Sequence, residues 1–333
     1  IVSYNTRELL EECLDSIVRS LTLDAGNVKT TGQSYASSVT RQASRVTPQA
    51  SSTSYEIIVV DNHSTDGTRE YLKEIQERRN LAASGGRNLS RQGRDEIKIS
   101  RSKFPNFKVI FNNDNTGFAK ANNQGIKIAR GEYILLLNSD TIVKDRALEI
   151  LVDYLENHPD TAAVSPLLLN PDNTPQLEYF MRFPNLWQIF FYHNRILRPF
   201  CKFIPGLKNK IYIFPQEKPF ESEQLPGAAL MARREAFQKV GLIDEDYPFF
   251  YEDVDWCYRA KVLKQKLVIA PTAKVVHLKG GSWKKEKKRP ADFYQGVFNS
   301  LLLFVKKNYG EKEEKKFRRA ININEFFKFR NFR

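Results

Sequence analysis

One stretch constrains the fold more than any other: Gly131-Glu132-Tyr133-Ile134-Leu135-Leu136-Leu137-Asn138-Ser139-Asp140. From Tyr133 to Leu137 the residues are apolar without alternation. That pattern belongs to a strand buried on both faces, as in the middle of a parallel sheet. The run stops at three polar residues, where the strand should end. In open α/β sheets, ligands bind just beyond the carboxyl ends of the strands. A carboxylate at that place, carried on a rigid strand, suits a divalent metal that grips a phosphate. The plainer alternative is a polar turn in which Asp140 caps the next helix.

The same grammar recurs along the chain. Ile1-Val2-Ser3-Tyr4-Asn5 reads as the end of a first strand. Leu9, Leu10, Cys13, Leu14, Ile17, Val18 and Leu21 follow at helical spacing, with Asn5 or Thr6 as the cap. Tyr55-Glu56-Ile57-Ile58-Val59-Val60 is a second buried strand that ends in Asp61-Asn62-His63-Ser64-Thr65-Asp66-Gly67, before a helix from Thr68 to about Arg79. Phe107–Phe111 is a third strand, followed by Asn112–Phe118 and a helix carrying Ala119, Ala121, Asn122, Asn123 and Ile126. After the central strand come a helix over 145–157 and a strand over 162–168. The β-α-β-α order predicts an α/β fold with a doubly wound sheet. Two polar stretches, about 24–54 and 80–105, break this order and read as flexible insertions.

The second half differs. Residues 183–214 are rich in aromatic and basic side chains, among them Trp187, Phe191, Tyr192, Arg195 and Arg198. Residues 225–231 read as a strand with Gly227 where a ligand approaches closely. Phe249–Trp256 leads into a helix, and Lys274–His277 reads as a short strand ending in a histidine. A helix over about 292–308 and a basic, Phe-rich tail follow.

Charge narrows the function. Of a net charge of +13, residues 279–333 carry +10, so the basic feature is a tail and the body is nearly neutral. That argues against a nucleic-acid groove in the body and fits a tail held to an anionic membrane surface. Cys13, Cys201 and Cys257 are odd in number and widely spaced, which predicts a reducing compartment without a disulfide framework. No apolar run approaches 18 residues, so no membrane span is expected. The chain opens at Ile1, without Met and inside a strand, which leaves room for residues upstream.

Asp61, the turn Asn115–Gly117, Asp140 and His277 all fall where strands or turns end, and Glu252-Asp253-Val254-Asp255 opens a helix. A nucleotide site needs a reader of the base, a metal on the diphosphate and a base for the incoming nucleophile. Asp61 suits a pyrimidine N–H, Asp140 and His277 offer one O and one N ligand, and Asp253 suits a hydroxyl proton. A helix N-terminus favours the ionised carboxylate. Each residue has an ordinary alternative: an Asx turn at Asp61, a hydrogen-bonded structural histidine at His277, a solvated helix start at 252–255.

Taken together, these segments resemble family-2 glycosyltransferases of the GT-A fold, and the rhamnosyltransferase-like branch in particular. The resemblance lies in Val2-Ser3-Tyr4-Asn5, Val59–Gly67, Asn115–Ala119 with Asn122-Asn123, Leu136–Asp140, Pro226-Gly227-Ala228, Tyr251–Trp256 and His277. It implies a Rossmann-like, doubly wound mixed sheet over 1–278, with a helical and basic C-terminal extension over 279–333. It implies a metal-dependent, inverting transfer of a sugar, with rhamnose the suggested one, from a nucleotide-diphosphate donor to a saccharide or lipid-linked acceptor in cell-surface polysaccharide synthesis. The expected place is the cytoplasmic face of the membrane. By resemblance, Asp253 is the general base with Glu252 its rival, and Asp140 and His277 hold Mg²⁺ or Mn²⁺. Asp61 contacts the nucleotide base. Tyr4, Asn5, Asn62, Ser64, Asn115, Gly117, Phe118, Asn122, Asn138, Ser139 and Gly227 complete the donor site. Asn138 departs from the family's Asp-x-Asp pattern, which leaves the metal contact to Asp140. The competing readings are a sugar nucleotidyltransferase and a non-catalytic basic protein bound to a membrane surface. A dinucleotide oxidoreductase is disfavoured, because no G-x-G-x-x-G follows the first strand.

Overall fold

The computed structural model describes residues 1–22, 55–83, 106–192, 206–279 and 290–330, with Leu197 and Ile204. The insertion over 24–54 lies outside them, as does most of that over 80–105; its first residues, to Ala83, continue a helix. In chain order the elements are β1 (Val2–Ser3), α1 (Arg7–Thr22), β2 (Ile57–Asp61), α2 (Thr68–Ala83), β3 (Phe107–Phe111), α3 (Phe118–Ile128), β4 (Tyr133–Leu137) and β5 (Thr141–Val143). Then follow α4 (Ala147–Asn157), β6 (Thr161–Leu169), α5 (Leu207–Ile211), β7 (Phe220–Glu221), β8 (Ala229–Arg233), α6 (Arg234–Val240), α7 (Glu252–Val262), β9 (Lys266–His277), α8 (Pro290–Tyr309) and α9 (Glu311–Arg330).

The strands β1, β2 and β3 form a parallel sheet. A second, mixed sheet runs β4-β8-β6-β9-β5, with β7 on the side of β9. A parallel bridge from Val2 to Asn138 joins the two at β1 and β4. The central strand β4 is therefore not inside a parallel sheet as its composition predicts; its ladder partner is the antiparallel β8. What the composition does record is burial on both faces. Ile134 and Leu136 enter one core with α3, α6 and α7. Leu135 and Leu137 face the other, with α1, α2 and α4. Alternate residues of a strand point to opposite faces, so helices on both sides demand an unbroken apolar run.

Several boundaries differ from expectation. The strand expected at 225–231 starts only at Ala229, and Leu225–Ala228 remain a loop. The short strand ending in His277 is the last part of twelve-residue β9. The Asn5 side chain accepts from Thr65 N at 2.7 Å through its Oδ1. Asp66 Oδ2 accepts from Arg7 N at 3.0 Å, while Asp66 Oδ1 accepts from Thr68 N at 3.2 Å, so one carboxylate serves the starts of α1 and α2. Thr6 instead donates to Ser139 Oγ at 2.9 Å, tying β1 to the turn after β4.

The C-terminal helices pack as a third core. Phe298, Leu301, Phe304 and Val305 of α8 meet Phe317, Ala320 and Ile321 of α9, together with Tyr247, Tyr251 and Tyr258. Phe317 and Ile321, which the sequence offers to a membrane, are buried here. Ile323 is exposed.

Candidate functional site

A cavity of about 890 Å³ opens where β1, β4 and β9 end. One part of its wall is polar and includes Tyr4, Asn62, Asn115, Asn138, Asp140 and His277. The other part is largely aromatic, with Tyr179, Tyr192, Tyr247, Phe249, Phe250 and Tyr294. Gly227, Glu252 and Asp253 also line it.

Strand register brings Asp140 to His277. The antiparallel pairing of β5 with β9 sets Thr141 opposite His277, and Leu278 N donates to Asp140 O at 2.9 Å. Asp140 Oδ1 then lies 3.3 Å from His277 Nε2, both nearly buried. The turn between β4 and β5 is fastened by Asn138 N to Ala228 O at 3.0 Å and Thr141 Oγ1 to Asn138 O at 2.7 Å. Asn138 Oδ1 is buried without a hydrogen-bond partner. An orphaned buried oxygen is costly, and it stands in the same turn as Asp140. The Asp140 carboxylate oxygen and the His277 imidazole nitrogen are donors of the kind Mg²⁺ or Mn²⁺ accepts.

The second constellation sits at the start of α7. Asp253 Oδ2 accepts from Gly227 N at 2.7 Å, and its Oδ1 accepts from Val254 N at 2.8 Å. Gly227 permits this approach, since a Cβ there would stand 3.2 Å from Asp253 Cβ and Oδ2. Just before the helix, Phe250 (φ +63°) and Tyr251 (φ +72°) both occupy the left-handed region. Two bulky residues held so are strained, and such strain gathers at functional sites. Burial raises the pKa of Asp253, opposed by the N–H groups of Gly227 and Val254. Burial, with the Asp253 charge next, raises that of Glu252 as well. Glu252 Oε2 has no partner, whereas Asp253 has two N–H donors. The pair's negative charge therefore belongs on Asp253, while Glu252 keeps its proton.

The remaining predicted donor-site residues divide into those that face the cavity and those that build its loops. Tyr4, Asn62, Asn115, Gly117, Phe118, Ser139 and Gly227 line it. Asn62 organises the turn before α3. Its Nδ2 donates to Asn115 Oδ1 at 2.7 Å, and its Oδ1 accepts from Thr116 N and from Asn112 Nδ2, each at 3.0 Å. Gly117, at φ +83°, turns the chain into α3. Asp61, Asn5, Ser64 and Asn122 are not part of the wall. Asp61 is fully buried, accepts from Ser64 N at 3.3 Å and pairs with Arg69 Nε at 3.4 Å. Asn5 N donates to Ser64 Oγ at 3.0 Å, and Asn122 Nδ2 turns back to Phe118 O at 3.0 Å. At the end of β2 it is thus Asn62, one residue further on, that reaches the cavity.

Sequence reasoning missed Gln176 and Tyr179, whose side chains meet His277. It also missed Tyr247 and Tyr294 of the aromatic wall. The aromatic enrichment of residues 183–214 signals part of that wall; nothing in the sequence marks Gln176.

The fold is that of the GT-A glycosyltransferases. The structure aligns over 93% of this chain and 63% of the other with the mannosyltransferase PcManGT from Pyrobaculum calidifontis in complex with GDP-Man and Mn²⁺, at a TM-score of 0.51 and 16% identity. The family model described as Glycosyl transferase family 2 matches residues 34–240, more than half the chain, and the chain belongs to that family. It is 26% identical over 205 residues to dTDP-rhamnosyl transferase RfbF of Shigella flexneri, covering 59% of this chain and 62% of that protein. It is 27% identical over 235 residues to N-acetylglucosaminyl-diphospho-decaprenol L-rhamnosyltransferase of Mycobacterium tuberculosis, covering 66% and 72% respectively. The chain thus spans less than two thirds of the Shigella relative's length. The rhamnosyltransferase-like resemblance read from the sequence agrees with these relatives.

Proposed function

We propose that the chain is an inverting glycosyltransferase, moving a sugar from a nucleotide-diphosphate donor to a saccharide or lipid-linked acceptor in cell-surface polysaccharide synthesis. The observation that carries this reading is Asp253, a buried carboxylate fixed by Gly227 N–H in the same cavity as Asp140 and His277. In this reading residues 1–278 carry the transferase, and the extension over 279–333 walls its acceptor side through Tyr294 and Val297. Two relatives are named as rhamnosyltransferases, so a nucleotide-linked rhamnose is the first donor to test.

Asp253 takes the proton of an acceptor hydroxyl. The hydroxyl oxygen attacks the anomeric carbon opposite the diphosphate. The bond from that carbon to the diphosphate oxygen breaks, its electron pair leaves on the nucleoside diphosphate, and the configuration inverts. Tyr4, Asn62, Asn115, Gly117, Phe118 and Ser139 hold the nucleotide, while Asp61, Asn5, Ser64 and Asn122 shape the loops that present them. Asp140 and His277 would hold Mg²⁺ or Mn²⁺, whose charge would offset that gathering on the leaving diphosphate. The aromatic wall seats the acceptor sugar and limits water.

The test is release of nucleoside diphosphate from a panel of nucleotide sugars. Excess chelator should abolish it, Mn²⁺ or Mg²⁺ should restore it, and Asp140→Ala should behave as the chelated protein does. Full activity in chelator would remove the metal from the reading. Pyrophosphate as the product would point to a nucleotidyltransferase instead.

A further inference from the structure

His277 is held by a side chain that no part of the mechanism above uses. After β6 the chain turns through 170–174, and Leu169 bridges to Pro175. Gln176 N then donates to Leu168 O at 2.9 Å. Because β6 pairs with β9, Leu169 opposite Val276, this return lays Gln176 against His277. Gln176 is fully buried. Its Nε2 donates to His277 O at 2.6 Å, and its Oε1 lies 3.2 Å from His277 Nδ1.

These two contacts fix more than position. A backbone carbonyl can only accept, so the amide must turn its NH₂ to His277 O. Its oxygen then faces Nδ1, and since that oxygen can only accept, Nδ1 must carry the hydrogen. Tyr179 Oη, 3.2 Å from the same nitrogen, is a second acceptor for it. In the neutral ring Nε2 is then bare, and it points at Asp140 Oδ1, 3.3 Å away. Two electron-rich atoms so close require a positive charge between or beside them.

We propose that Gln176 is a positioning residue that holds His277 as the Nδ1–H tautomer, with the Nε2 lone pair turned toward Asp140 to receive a divalent cation. The proposal rests on the reading of Asp140 and His277 as cation ligands. Hydrogen-bond partners of ligating histidines commonly tune metal affinity by about 10–100-fold. Gln176→Leu removes both contacts at similar volume. Gln176→Glu keeps an oxygen for Nδ1–H.

The experiment uses the whole chain without donor sugar. Mn²⁺ affinity is measured by calorimetry for wild type, Gln176→Leu and Gln176→Glu, and the ¹⁵N spectrum of histidine-labelled protein is recorded in chelator above neutral pH. The chain has 4 histidines, so a His277→Gln spectrum assigns the signal. The expected wild-type signal is protonated at Nδ1 and bare at Nε2. Gln176→Leu should weaken Mn²⁺ by about 10–100-fold and shift the tautomer, and Gln176→Glu, which gives up the donor to His277 O but keeps the acceptor for Nδ1–H, should restore both. Wild-type affinity in Gln176→Leu, or a wild-type ring protonated at Nε2, overturns the proposal. So does a loss in both variants that follows a lowered melting temperature, because the residue then serves the fold alone. Failure of wild type itself to bind Mn²⁺ overturns the cation reading on which the proposal stands, and is told apart because it needs no variant.

Discussion

Gly227 carries the sharpest residue-level demand in the site. An added Cβ would meet Asp253 at 3.2 Å, and the colliding atoms belong to the proposed base itself. Gly227→Ala should therefore lower turnover by at least about tenfold, because a misplaced base loses most of a general-base contribution of about 10²–10⁴. Donor affinity and melting temperature should change little; unchanged turnover at saturating substrates would show that Asp253 tolerates the shift. Glu252 gives a pH prediction. Burial and the Asp253 charge raise its pKa from 4.5 to about 8. The folded chain thus keeps a proton that the unfolded chain has already released. This group's contribution is intact below the unfolded value and is lost as pH rises through the folded one. Melting temperature should fall as pH rises from about 4.5 to about 8, and less so in Glu252→Gln; equal slopes would contradict the assignment. Asp140, Asp253 and His277 stood out in the sequence because each marks a visible end of a strand or start of a helix, and Gly227 because a glycine interrupts an apolar run. At β2 the sequence could not choose between Asp61 and Asn62, since neighbouring strand residues point to opposite sides. Gln176 was illegible for another reason: its partner His277 lies 101 residues away and no local pattern links them.

At the scale of elements, α8 is the piece whose role was least visible. Residues 292–308 read as a helix, yet only the structure places α8 against α7 and the cavity. Lys307 Nζ reaches Asp244 and Asp246, each at 2.6 Å, and Asn308 Nδ2 donates to Asp255 Oδ1 at 2.9 Å. Tyr247 Oη also donates to Asp255 Oδ1 at 3.0 Å, so α7, α8 and the loop before α7 share one carboxylate. Phe304 lies fully buried among the rings of Tyr258, Tyr251 and Tyr309, at centroid distances of 5.6, 6.1 and 5.4 Å. Phe304→Ala should cost about 3–5 kcal/mol by chemical denaturation, as for other large-to-small core changes. It should also reduce transfer, because Tyr251 is released from the positive-φ turn that precedes Asp253. A loss under about 1 kcal/mol would mean the helix is not an integral wall. β5 escaped sequence reading because three residues give too short a run for any periodicity. The start of β8 was misjudged for a different cause: Leu225–Ala228 are apolar because they line and close the cavity, not because they join a ladder.

At the scale of the whole molecule, the charge asymmetry survives the folding of the tail, but its apolar partners are fewer. Phe317 and Ile321 are spent on the core, while the basic residues of 279–333 still give that region +10. No helix among the described residues is long and apolar enough to cross a membrane. We therefore expect attachment to a membrane surface to be mainly electrostatic, with each cation near an anionic leaflet worth about 1 kcal/mol. Vesicle flotation should show binding that needs anionic lipid and falls with salt; equal binding to neutral vesicles, or none to either, would exclude it. The central claim concerns chemistry in a single cavity, and Asp253→Asn tests it most directly. The substitution keeps the shape and removes the basicity of one side chain. The measurement is turnover and donor affinity together, on the nucleotide sugar that wild type consumes. The account predicts that turnover falls by about 10²-fold or more while donor affinity stays within a few-fold of wild type. Asp253→Asn turning over at the wild-type rate would contradict it.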